Sequence, residues 1–145
     1  MSRTAVPRGA CIDDAVEIAR LAAELGYAAP VEVIRERLAL LLPHADHRIS
    51  VVEEGGALRG WIAVERRRTL ESGERVEIAG LVVDARFRGN GVGRALVMHA
   101  EQWARALGLR AIYVRSNVLR DASHPFYERL GYVRRKTQHF YAKDV

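Results

Sequence analysis

The residues from Ile78 to Leu107 constrain the chain more than any others. Ile78-Ala79-Gly80-Leu81-Val82-Val83 is a nearly continuous apolar run of strand type, and Asp84 ends it. Arg88-Gly89-Asn90-Gly91-Val92-Gly93-Arg94 follows, and a helix opens directly from these glycines. Val92, Leu96, Ala100, Trp103 and Leu107 share one face of that helix, and Gly108 closes it. A strand that stops at a glycine loop and re-emerges as a helix aims several backbone N–H groups and a helix N-terminus at one point. That arrangement suits a phosphate. Ala111 to Val114 reads as a further buried strand, so Val76 to Val114 forms a strand–helix–strand unit with a right-handed parallel crossover.

The rest of the chain reads as elements packed around this unit. Thr4 to Pro7 is a short extended start, and Asp13 or Asp14 caps a helix with Glu17 in capping-box register after Asp14. Ile18, Leu21, Ala22 and Leu25 form its apolar face, and Gly26 stops it. Pro30 suits the first turn of a second helix carrying Val31, Ile34, Leu38, Leu41 and Leu42, which Pro43 ends. Ile49 to Glu53 and Leu58 to Glu65, joined across Gly55-Gly56, read as a hairpin. Arg66 to Arg75 reads as a polar turn, and Val76 to Val83 as a strand buried on both faces. A short helix from His124 to Leu130 closes at Gly131, and Val133 to Lys143 is extended. The expected fold is α/β (α+β): a mixed, mostly antiparallel sheet of six or seven strands with helices on both faces. The expected order is β-α-α-β-β-β-α-β-α-β in a single domain, residues 1–145.

Composition narrows the function classes. Apolar residues make up 49% and charged residues 28%, as in ordinary soluble domains. No apolar run approaches the roughly 18 residues of a membrane span, and the N-terminus has no secretory h-region. Cys11 is the single cysteine, so neither an internal disulfide nor a cysteine metal cluster is available. A cytoplasmic protein without membrane contact is the expectation. The formal charge is +5, and Lys136 and Lys143 are the only lysines. A basic surface attracts polyanions, but an arginine-biased composition spread over solvated faces is the simpler account. The run Arg66-Arg67-Arg68 lacks the interleaved aromatics of a nucleic-acid platform, so no nucleic-acid partner is expected. His44 and His47 have only Asp46 beside them, which reads as a solvated loop rather than a metal site.

The glycine loop distinguishes between phosphate sites. A P-loop requires a lysine and a serine or threonine after its last glycine, and neither is present. A dinucleotide fingerprint requires Gly-x-Gly-x-x-Gly in a βαβ array. Here the spacing is Gly89-x-Gly91-x-Gly93, it follows a meander, and no second βαβ unit comes after it. The run Arg88-Gly89-Asn90-Gly91-Val92-Gly93 does fit Arg/Gln-x-x-Gly-x-Gly/Ala. With Leu81-Val82-Val83-Asp84 ahead of it, and with Ser116-Asn117 and Phe126-Tyr127-Glu128-Arg129-Leu130-Gly131-Tyr132 after it, the chain resembles the GNAT superfamily of acyl-CoA-dependent N-acyltransferases.

That resemblance implies acetyl-CoA as cosubstrate, an amine acceptor and no metal. It implies that the backbone of Leu81, Val82 and Val83 binds the pantetheine arm as an added strand. Backbone groups of Arg88, Gly89, Asn90, Gly91, Val92, Gly93 and Arg94 would take the pyrophosphate, with Arg86, Arg88 and Arg94 adding positive charge. Glu77 matches a strand glutamate that serves as general base in part of the family, although an edge glutamate paired with Arg75 is the competing reading. Tyr127 matches the family's general-acid tyrosine, which protonates the leaving thiolate. A backbone N–H near Val82 or Val83 would stabilise the oxyanion. Arg120 stands where the family commonly has asparagine, and Asn117 lies three residues earlier. Both, with His124 and Phe126, are carried as cofactor contacts. The final segment is short for the family's closing hairpin, so a partner subunit completing it, hence a homodimer, is also an expectation. The reaction implied is direct transfer of acetyl to a primary amine of a small molecule through a ternary complex. An acyl-CoA-binding regulatory module and an acetyltransferase acting on a protein amine are the alternatives.

Overall fold

The computed structural model describes residues 5–116 and 123–145. They fall into two compact units, Met1–Val114 and Arg115–Val145, and each is described by itself.

The first unit holds one five-stranded sheet and three helices. In chain order these are β1 (Arg8–Gly9), α1 (Ala15–Glu24), α2 (Val31–Leu41), β2 (His47–Glu54), β3 (Ala57–Thr69), β4 (Gly73–Val83), α3 (Val92–Ala106) and β5 (Ile112–Val114). The strands lie in sequence order across the sheet. Pairing is antiparallel from β1 to β4 and parallel between β4 and β5, as the α3 crossover requires. The second unit carries α4 (Ser123–Arg129) and, from residue 132 to 145, no regular secondary structure.

Several expectations change. Among the described residues the sheet has five strands rather than six or seven, and Val133 to Lys143 is not a strand. The first strand is Arg8–Gly9, just after the expected Thr4 to Pro7. Arg66 to Arg75 is not a polar turn. Both strands continue into it, Arg67 opposite Arg75 and Thr69 opposite Gly73, with Arg68 paired to the oppositely charged Glu74 between them. At the start of α1, Asp14 accepts a hydrogen bond from the Cys11 N–H at 2.9 Å and closes a 3-10 turn rather than forming a capping box with Glu17. Pro30 precedes α2 as its cap residue.

Cross-strand partners share a face of a sheet, so the register assigns the two layers. Trp61 and Ala63 of β3 and Val82 of β4 pack with Ile18, Leu21 and Leu38 of α1 and α2. On the opposite face, Gly60 meets Val92 and Leu96 of α3, with Ile62 and Val64 alternating beside it. Two bulges break this alternation. Arg59 is extra on β3, where Val52 pairs Gly60 but Glu53 pairs Leu58. Ala79 is extra on β4, where Ala63 pairs Gly80 but Val64 pairs Ile78.

Gly60 is where α3 comes closest to the sheet. A Cβ there would lie 2.9 Å from the Val82 carbonyl oxygen and 3.0 Å from Val92 Cγ1. The first of these is backbone and cannot yield cheaply. Gly60→Ala is expected to destabilise the protein by about 1–3 kcal/mol, read as a lowered thermal midpoint. An unchanged midpoint would mean that α3 and β3 separate without cost.

Candidate active site

The strand-to-helix corner is built as the sequence suggests. β4 ends at Val83 and a 3-10 turn, Ala85–Phe87, leads to the glycines. Gly89 and Gly91 have φ of 84° and 82°, in the left-handed region where side chains are disfavoured. Gly91 is the N-cap of α3 and offers no side chain to cap it, and the first turn contains no acidic residue. The first N–H groups of α3 are therefore left for an external acceptor by helix geometry. Arg88 and Arg94 are exposed beside them. Arg86 is not available in the same way. Its guanidinium is held on Asp84, at 2.9 and 3.2 Å.

Asp84 is a residue that sequence reasoning passed over as a strand terminator. It is 1% exposed and accepts the Arg86 N–H at 3.0 Å, which fixes the turn into the loop. Arg20 of α1 reaches the same carboxylate at 3.2 Å. Arg20 also donates to the Leu58 carbonyl, while Glu17 accepts the Leu58 N–H at 3.0 Å. The side-chain hydrogen bond from Arg86 leads the causes that hold the Asp84 carboxyl well below its usual range, and the backbone N–H and Arg20 add to it against the cost of burial. Arg59 lies over the Phe87 ring at 3.5 Å, with Arg86 at 5.6 Å from the same ring. An aspartate followed two residues later by an arginine, just past an apolar strand, was the available signal.

The ladder between β4 and β5 is short. It runs from Val76↔Ile112 to Ile78↔Val114 and stops. Among the described residues, Leu81, Val82 and Val83 pair with β3 on one side only. Their β5-side backbone groups form an edge leading straight to the glycine loop.

Glu77 lies within β4 rather than at its start, because the strand begins four residues earlier, at Gly73. It is 6% exposed. Without the Ala79 bulge, Glu77 would point away from the face shared by Gly80 and Val82. With it, Glu77 joins that face, opposite Glu65 of β3 and Tyr113 of β5. Arg67 Nη1 donates to Glu77 Oε2 at 3.2 Å, and Arg75 Nε lies 3.7 Å from Oε1. The expected partner Arg75 is thus present, with Arg67 the closer of the two.

In the second unit, Tyr127 sits on α4, packed edge-on against Phe126 at 5.1 Å and Tyr132 at 5.7 Å. Its carbonyl accepts the N–H groups of Leu130 and Tyr132, which closes the helix where Gly131 takes φ of 92°. Burial pushes the phenol up to about 12, so it keeps its proton at neutral pH. Asn117 and Arg120 lie outside the described residues, and His124 is described only as a backbone position in α4. His44 and His47 stack edge to face, and among the described residues no group of side chains is arranged to hold a metal ion. No described helix is long and apolar enough to cross a membrane.

The mixed sheet, its short parallel arm and the glycine corner define an acyl-CoA-type transferase scaffold. The chain belongs to the acetyltransferase (GNAT) family, whose model matches residues 14–132 and so runs across both units. It is 29% identical over 110 residues to the uncharacterized N-acetyltransferase YhdJ of Bacillus subtilis, covering 75% of this chain and 78% of that one. It is 32% identical over 102 residues to the aminoalkylphosphonate N-acetyltransferase of Salmonella typhimurium, covering 70% and 63%. The chain thus spans less than two thirds of that second relative's length. Among solved structures, AAC(6')-Iy in complex with a coenzyme A bisubstrate analogue matches with a TM-score of 0.86 at 18% identity, over 99% of this chain and 100% of that one. At that identity the likeness speaks for the fold alone.

Proposed function

We propose that this chain is a single N-acetyltransferase domain that transfers acetyl from acetyl-CoA to a primary amine of a small molecule. The observation that carries the reading is the half-paired end of β4 running into an uncapped α3 N-terminus flanked by Arg88 and Arg94. Coenzyme A carries both chemistries that these features want. Its pyrophosphate suits the N–H groups and arginines of Arg88 to Arg94, and its amide-bearing arm suits the β4 edge at Leu81 to Val83. The Salmonella relative acts, by its name, on an aminoalkylphosphonate, which is a small amine.

In this reading the acceptor ammonium, with a pKa near about 10, gives a proton to Glu77. The amine nitrogen then bonds to the acetyl carbon, the carbon–sulfur bond breaks, the thiolate takes a proton from Tyr127, and the nitrogen's second proton returns to the Tyr127 phenolate to leave a neutral amide. A β4 backbone N–H near Val82 or Val83 supports the charge that develops on the acetyl oxygen.

The test is free-thiol release from acetyl-CoA with a panel of small amines. Tyr127→Phe is expected to lower kcat about 100-fold with the acetyl-CoA KM little changed, within the range of general-acid contributions. Binding of acetyl-CoA without turnover of any amine would instead favour a regulatory binding module. Turnover confined to peptide amines would move the acceptor to proteins.

A further inference from the structure

The face of the sheet beside Glu77 carries more charge than proton removal needs. His47, Glu65, Glu77 and Tyr113 form one cross-strand row over four strands, and Arg67 and Arg75 form the next. Two carboxylates directly opposite each other repel. Arg67 bridges them, with Nη1 on Glu77 at 3.2 Å and Nε 3.6 Å from Glu65. Arg75 is stacked on the Tyr113 ring at 3.4 Å, which fixes the plane of its guanidinium.

The arginines are under-used as donors. Among the described residues Arg75 gives one hydrogen bond, from Nη1 to the Ser72 hydroxyl, and its buried Nε lies 3.7 Å from Glu77 Oε1, beyond hydrogen-bond reach. Arg67 gives one among the described residues, to Glu77, and is 39% exposed along its side chain. Buried guanidinium N–H groups without acceptors are uncommon in folded proteins, because their desolvation is uncompensated. The Nη2 groups, which make no hydrogen bond or ion pair among the described residues, match the oxygens of a carboxylate or phosphonate. Two carboxylates in the adjacent row match an ammonium.

We propose that the acceptor is an amine bearing its own acidic group a few bonds from the nitrogen, held with its ammonium toward Glu77 and Glu65 and its anion on Arg67 and Arg75. This deepens the acetyltransferase reading and rests on it. Tyr113 and Ser72 act as positioning residues that hold the Arg75 plane.

The experiment compares kcat/KM for matched acceptors: glycine against methylamine, aminomethylphosphonate against methylamine, and putrescine as a dication. The acidic member is expected to be preferred by at least about tenfold, the worth of one good charge-assisted contact, and putrescine to be poorest. Arg67→Gln should collapse that ratio through the KM of the acidic acceptor, and Arg67→Lys should restore part of it. Arg68→Gln, on the opposite face of the same strand, should leave the ratio intact, and thermal midpoints confirm that each variant is folded. A carboxylate preference without a phosphonate one, or the reverse, identifies which anion the fork fits. Equal use of acidic and neutral amines, or a ratio that survives Arg67→Gln, overturns the inference while acetyl transfer stands. If acetyl-CoA binds and no amine is turned over, the acetyltransferase reading falls and this inference falls with it.

Discussion

Glu77→Gln is expected to lower kcat/KM for the acceptor by about 10²–10⁴-fold at neutral pH, the usual contribution of a general base. The binding constant for acetyl-CoA should be unchanged, because the glycine loop and the β4 edge at Leu81 to Val83, the proposed cofactor contacts, are untouched. The deficit should shrink as pH rises. An amine with a pKa near about 10 is almost wholly protonated at pH 7, and it supplies its own free base as pH approaches that value. A variant that is equally impaired at pH 7 and pH 10 would mean that Glu77 serves the structure of the charged cluster. Glu65→Gln separates the two roles further. Glu65 shares the row with Glu77 but meets Arg67 through a 3.6 Å ion pair, so its loss should act on acceptor KM and spare the pH profile. Wild-type activity in Glu77→Gln would remove Glu77 from the chemistry.

Much of this site was legible in the residues because local signals and fold agreed. The glycine corner required glycines: Gly89 and Gly91 take left-handed backbone angles that only a residue without Cβ adopts readily. The apolar stripe of α1 at Ile18, Leu21 and Ala22 is buried as its period implies. What could not be read was register. Whether Glu77 shares a face with Val82 depends on one extra residue, Ala79, and nothing in an apolar strand sequence marks a bulge. The extension of β3 and β4 through Arg66 to Arg75 was hidden for a similar reason. Arg66, Arg68 and Glu74 look like loop residues singly, and only cross-strand pairing, with Arg68 Nε 3.2 Å from Glu74, makes them a ladder. The segment from Val133 to Lys143 shows the opposite error. It reads as extended, yet it forms no strand, and Phe140 and Tyr141 are 95% and 86% exposed, without the burial that rewards a strand.

Replacing Asp84 is expected to have the largest effect on stability. Asp84→Ala removes the acceptor for the Arg86 N–H and for two guanidiniums at once, from a position 1% exposed. Breaking a buried ion pair costs about 3–5 kcal/mol. Arg86 is 69% exposed and Arg20 32%, so water takes over part of their solvation, and about 2–3 kcal/mol is the expected loss. Asp84→Asn should fall between, since it keeps a turn acceptor and loses the charge. The pH dependence follows from the direction of the shift. The folded carboxyl lies below its ordinary value of 3.8, so its stabilisation is fully present above that value and is lost as pH falls toward the folded-state pKa. The gap between wild type and Asp84→Asn in chemical denaturation should therefore be constant from about pH 5 to 8 and narrow below about pH 4. Because the same carboxylate sets the turn ahead of Gly89 and Gly91, coenzyme A should bind Asp84→Ala at least about tenfold more weakly, equivalent to roughly 1.4 kcal/mol. A variant that unfolds earlier yet binds coenzyme A normally would separate the two effects, making Asp84 a fold residue and leaving the loop to its glycines.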